Sequence, residues 1–247
     1  MTAPAAPEVD GARRAFIDLH CHTSASFDSL ADPEAVVRAA ASRGLTYLAV
    51  TDHDRIDGAL RAREAAPPGL TIIVGEEIMT TDGDLIAVFL REVVPPGLSA
   101  VETIAAIREQ GGLVGVPHPF DRFRGFGRRS GVPLESIANL IDWVEAYNAR
   151  VIGDSANEKA ALFAREHNLP GVGASDSHTV LEVGVTYNTV NGHPGTPEAL
   201  LACLVGVDFV PGRASFYVRA WTPVAKMIQS VKGNGRRRAQ GSTGETR

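Results

Sequence analysis

Short, almost continuously apolar runs alternate with segments of helical periodicity along most of this chain, and that alternation constrains the fold more than any other feature. Such runs, bounded by turn residues, read as strands buried on both faces. Strands are predicted at residues 15–19, 46–50, 71–74, 85–90, 113–116, 143–147, 171–174, 185–190 and 208–210. Helices are predicted between them at 33–42, 57–65, 99–110, 134–140, 154–167 and 197–205. Asp32 can cap a helix that begins at Pro33 and closes at Gly44, and Ser99 with Glu102 forms a capping box. Repeated strand–helix units imply an α/β fold with a parallel sheet and right-handed crossovers, either a barrel or a doubly wound sheet. No glycine-rich phosphate loop of the dinucleotide or P-loop type follows a strand, so the nucleotide-binding forms of the second option lose support. A length of 247 residues is compatible with one domain.

Composition narrows the function classes. A net charge of −5 gives no global reason to bind long nucleic acid or an anionic membrane, so any phosphate affinity is local. Cys21 and Cys203 form no CxxC pair, which speaks against a disulfide framework or a thiolate zinc site and suits a cytoplasmic location. No secretory leader or long apolar span is evident, and neither membrane nor protein partner is expected. Residues 1–13 and the basic tail 233–247 read as disordered, leaving a single domain at 14–232. Ahead of the tail, Pro223 can start a helix whose stripe of Val224, Met227, Ile228 and Val231 would pack on the barrel.

The polar residues are placed systematically. His20 and His22, Asp52-His53-Asp54, Glu76-Glu77, His118, Asn148, and Asp176 with His178 each follow a predicted strand. In a β/α barrel those strand ends converge on one face, where active sites are built. Singly, each has a plain structural reading: His53 as a capping or core histidine, His118 as part of a rigid Pro117-His118-Pro119 turn, Glu76 as a strand-end carboxylate. Jointly, five of the seven histidines at strand ends point to metal chemistry, while His167 and His193 fall outside the pattern and read as structural.

The motifs His20-Cys21-His22-Thr23, Asp28, Thr51-Asp52-His53-Asp54, Gly75-Glu76-Glu77-Ile78, Pro117-His118-Pro119-Phe120 and Ser175-Asp176-Ser177-His178 together resemble the PHP (polymerase and histidinol phosphatase) superfamily, in its short stand-alone branch. The resemblance implies a distorted (βα)7 barrel, two or three divalent transition-metal ions such as Zn, Mn or Fe, and hydrolysis of phosphate esters by a metal-bridging hydroxide. It places one metal on His20, His22, Glu77 and Asp176, and a second on Glu77 and His118. A third falls on Asp28, His53 and His178. Where some relatives carry a further histidine for the second metal, this chain has Asn148, which is expected to serve that site or the substrate. The helical insert of relatives that act on nucleoside bisphosphates or short RNA is absent.

Imidazole and carboxylate ligands without thiolate leave the metal open among those three. Arg122 and Arg124, just beyond His118, are expected to grip the substrate phosphate, because guanidinium binds phosphate bidentately. Asp52 or Asp54 is expected to orient His53, and His178 is a further candidate proton donor. The expected substrate is a small phosphorylated molecule or a short oligonucleotide. Metal-dependent C–N (amide) hydrolysis and a non-catalytic, metal-stabilised binding module are the competing readings.

Overall fold

The computed structural model describes residues 14–236. The expected disorder of 1–13 and most of the tail therefore lies outside the described residues. The alternation becomes nine strands: β1 (Arg14–Asp18), β2 (Tyr47–Val50), β3 (Thr71–Met79), β4 (Asp84–Val88), β5 (Leu113–Val116), β6 (Trp143–Asn148), β7 (Gly171–Ala174), β8 (Tyr187–Asn191) and β9 (Asp208–Val210). The helices are α1 (Pro33–Ser42), α2 (Asp57–Glu64), α3 (Ala100–Glu109), α4 (Ser155–Glu166), α5 (Pro197–Leu204) and α6 (Phe216–Val231), and a 3-10 turn spans Leu134–Ile137. The predicted caps are present: Asp32 accepts from Glu34 N, and Ser99 and Glu102 close a reciprocal capping box. No helix among the described residues is long and apolar enough to cross a membrane.

The strands make one barrel-like sheet in the order β7-β6-β5-β4-β3-β2-β1-β8-β9. Parallel pairing holds for β1–β2, β2–β3, β5–β6 and β6–β7, as strand–helix units require. β4 runs antiparallel to both neighbours. The turn at 80–83 is too short to carry a crossover helix, so β3 and β4 form a hairpin, with Thr80 Oγ1 donating to Gly83 O at 2.6 Å. That hairpin also lengthens β3 past the predicted end at 74.

β1 and β7 are not laddered along their length, and Asn188 of β8 fills the seam. Its side chain accepts from Gly173 N at 2.8 Å and donates toward Gly173 O at 2.8 Å and Ile17 O at 3.1 Å. One buried amide thus stands in for a strand rung. Asn188→Ala would leave those backbone groups unpaired in the core, a loss of about 3 kcal/mol or more at 1–3 kcal/mol per group. We expect its melting temperature to fall by about 10 °C, at 2–4 °C per kcal/mol for a domain of this size; a shift of only a degree or two would contradict this role.

The C-terminal segment differs from expectation. α6 starts at Phe216 with Ser215 as its cap, and Pro223 lies inside it. Met227 and Val231 are exposed, whereas Ala225 and Gln229 are buried. Val224 and Ile228 are half-buried, and part of the docked face is polar because α6 packs on backbone there: Gln229 Nε2 lies 2.8, 3.1 and 2.7 Å from the carbonyls of Ser24, Ser26 and Ser29. Nor does order end at 232, since Asn234 Nδ2 donates to Ala25 O at 3.0 Å.

Candidate metal centre

The loops after β1, β2, β5 and β7, together with β3, deliver the histidines and carboxylates to one end of the barrel. His20 and His22 meet with their Nε2 atoms 2.9 Å apart. Glu77 Oε2 lies 3.3 Å from each of those nitrogens, and Asp176 Oδ1 lies 3.6 Å from each. Glu77 Oε1 faces His118 Nε2 at 3.4 Å, and its Oε2 faces His53 Nδ1 at 3.2 Å. Glu77 thus touches four imidazoles. Its neighbour Glu76 projects to the other face of β3, where Oε2 accepts from Val94 N at 2.9 Å. Asp28 Oδ2 lies 3.4 Å from His53 Nε2 and 3.3 Å from His178 Nε2. All eight predicted ligands are therefore brought together.

The donor set fits divalent ions. His22, Asp28, His53 and His178 form one group able to hold a metal, and His20, His22 and Glu77 another. Asp28 Oδ1, His53 Nδ1, Glu77 Oε1, His118 Nδ1 and Nε2, and Asp176 Oδ1 are buried without a hydrogen-bond partner in the protein, an arrangement that burial penalises and a cation would relieve. His118 and Asp176 also hold left-handed backbone, with φ of 30° and 50°. Non-glycine residues seldom adopt it, and such strain gathers at functional sites.

Electrostatics keep the carboxylates charged. Burial resists ionisation of Asp176, but Arg124 and His20 beside it hold it well below the usual range. Asp28 and Glu77 are likewise held low against burial by their histidines. Burial would lower His22, yet the carboxylates of Asp176 and Glu77 beside it raise it to about 9. Burial lowers His178 to about 4, so it is neutral and able to donate a lone pair. Its Nδ1, 2.9 Å from Asp176 O, turns Nε2 toward Asp28.

Outer partners orient this set, and the principal one was not foreseen. Glu145 Oε1 lies 2.6 Å from His20 Nδ1, while its Oε2 accepts from His118 N and Asn148 Nδ2, both at 2.8 Å. One carboxylate within β6 thereby fixes two candidate ligands. Ser26 Oγ sits 3.1 Å from His22 Nδ1 and donates to Asp52 Oδ1 at 2.8 Å.

Two expectations need correction. Neither Asp52 nor Asp54 reaches the His53 ring, whose nitrogens face Glu77 and Asp28. Asp52 instead ties down the 23–26 loop, accepting from Thr23 N at 2.6 Å. Gly58 makes room for it, since a Cβ there would fall 2.0 Å from Asp52 Oδ2. Asp54 accepts from Met79 N at 2.8 Å. Asn148 is buried, and its amide is taken up by protein, donating to Glu145 and Asp176 while accepting from Arg150 N at 2.9 Å. His167 ends α4 with its ring 4.2 Å from that of Phe163, and His193 is exposed; both lie outside the cluster, as expected.

Two cavities open onto the cluster. One of about 550 Å³ is lined by His178, Arg122, Phe123, Ile152 and Lys159; the other, about 190 Å³, by His53, Glu77, Arg128 and Arg129. Asp28, Phe123, Arg124 and Lys226 border both. Arg124 Nη1 donates to Asp176 Oδ2 at 2.8 Å, and Arg122 rests on the Phe123 ring.

The PHP domain family model matches residues 18–231. The chain belongs to the PHP domain family. Two uncharacterized proteins of Methanocaldococcus jannaschii are similar to it. One is 37% identical over 145 residues, covering 53% of this chain and 81% of the relative; the other is 31% identical over 173 residues, covering 69% and 68%. Among solved structures, a two-domain Bacteroides vulgatus protein containing a predicted PHP-like metal-dependent phosphoesterase superposes with a TM-score of 0.67 at 20% identity, covering 84% of this chain and 68% of that one. The PHP barrel fold expected from the motifs is thus the fold found.

Proposed function

We propose that this PHP domain protein hydrolyses phosphate esters with two or three divalent ions held by His20, His22, Asp28, His53, Glu77, His118, Asp176 and His178. The observation that carries the reading is the buried convergence of these residues beside Arg124, at the floor of cavities bordered by several cations. The description of the Bacteroides relative is consistent with it. Divalent ions bound there would polarise the phosphoryl group and activate water near neutral pH.

The chain's own residues would do the rest. Glu145 and Ser26 hold the His20 and His22 rings in place, so the donors are set before substrate arrives. Arg124, a third exposed, can offer remaining guanidinium N–H groups to phosphate oxygens while keeping Asp176 ionised. Arg122, Phe123, Ile152 and Lys159 form a mixed cationic and apolar wall for the organic part of a small phosphorylated substrate or a short oligonucleotide.

Phosphate release screened over phosphomonoesters, phosphodiesters and short oligonucleotides, with added Mn²⁺ or Zn²⁺, tests the reading; hydrolysis of amides alone would overturn it. Arg124→Ala should weaken kcat/KM by about tenfold or more, the value of a charge-assisted hydrogen bond, with metal content unchanged. Arg122→Ala should have the smaller effect, because its guanidinium lies on Phe123 away from Asp176. Wild-type kinetics in both would remove this role.

A further inference from the structure

The residues that follow α6 return to the mouth of the barrel. Asn234 anchors them, accepting from Arg55 Nη1 at 2.7 Å and donating to Ala25 O. Arg236 then meets two carboxylates: Nη2 donates to Asp84 Oδ1 at 2.9 Å and Nε to Asp54 Oδ2 at 3.3 Å. Its Cζ lies 5.6 Å from the centre of the Phe27 ring, and that ring is 4.9 Å from the ring of His53. The guanidinium is thus held in one orientation, with 22% of the side chain still open.

The open part faces the 190 Å³ cavity, whose wall also includes Asp28, His53, Glu77, Arg128 and Arg129. A space of about 190 Å³ has room for a phosphoryl group and its ester oxygen.

We propose that Arg236, supplied by the segment after the barrel, binds a phosphoryl oxygen of the substrate in this smaller cavity. The assignment rests on the phosphoesterase reading. A guanidinium has five N–H donors, and the two carboxylates engage only part of them, leaving donors for the cavity. Asp54 and Asp84 pre-orient it, so little side-chain freedom is lost when an anion arrives. Lys226 flanks the same entrance, 3.9 Å from Asp28 Oδ2.

The test uses the full chain loaded with Mn²⁺ and inorganic phosphate as the probe, with binding measured by calorimetry and by competitive inhibition. Arg236→Ala should weaken phosphate binding by about tenfold to a hundredfold, as loss of a charge-assisted contact implies, at unchanged metal content. Arg236→Lys, which keeps the charge without the fork, should fall between. Phosphate binding by Arg236→Ala equal to wild type, or weakening that merely follows loss of metal, would overturn the assignment. Ester turnover by wild type with phosphate binding unaltered in Arg236→Ala would overturn it and leave the phosphoesterase reading standing. Arg236-dependent phosphate binding without turnover of any ester would support the anion site and remove that reading instead.

Discussion

Asp176→Asn should reduce kcat by about 10³-fold or more, beyond the 10–100-fold typical of losing an outer partner of a metal. Asp176 Oδ1 faces both His20 and His22, and Oδ2 is held by Arg124 and Asn148, so no neighbouring carboxylate can take its place. Asn tolerates the left-handed backbone at φ 50° as Asp does, so this substitution removes the charge without adding backbone strain. His167→Ala and His193→Ala, outside the cluster, should stay within about twofold of wild type by the usual neutrality of such sites. Kinetics under metal titration, with circular dichroism to verify folding, give the comparison. Equal losses at all three positions would contradict the division of the histidines.

Chelation should produce the largest change in stability. The cluster buries three carboxylates and five histidines at least in large part, and an ion that binds only the folded chain stabilises it by about 4 kcal/mol at a free concentration 1,000 times its Kd. Removing metal should lower the melting temperature by about 8–16 °C, at 2–4 °C per kcal/mol, and Mn²⁺ or Zn²⁺ should restore it. The gap should also depend on pH. Without metal, His22 is raised from 6.5 to about 9, so its stabilising contribution is complete below 6.5 and is lost as pH climbs through 9. Metal competes with protons for the same nitrogens and binds better over that interval. The difference between loaded and stripped protein should therefore widen from pH 6.5 to 9; a gap that narrows, or none at all, would count against metal occupancy of this cluster.

Much of this was legible in the sequence because strand C-termini in a β/α barrel converge whatever lies between them. His20, His22, His53, Glu77, His118, Asp176 and His178 could be placed by that rule, and the motifs added Asp28. The direction of β4 could not be read, since an apolar run buried on both faces looks the same in either direction. Glu145 and Asn188 were the missed signals: each is a polar residue inside a buried strand, where burial demands a partner. Asp52 and Asp54 were misassigned because adjacency to His53 in sequence does not set where a side chain turns, and their partners lie elsewhere. Arg236 was hidden by composition. A Gly-rich basic segment reads as solvated, and the contacts that fix it join residues 182 and 152 positions apart.

The central claim is that the buried cluster holds the ions on which phosphate-ester hydrolysis depends. Its most direct measurement follows bound metal and phosphate release together while Mn²⁺ is titrated into chelator-stripped protein. Activity should be absent at the start and rise with occupancy to a plateau at two or three ions per chain. A chain that binds no metal under these conditions, or releases phosphate equally well when stripped, would contradict the account.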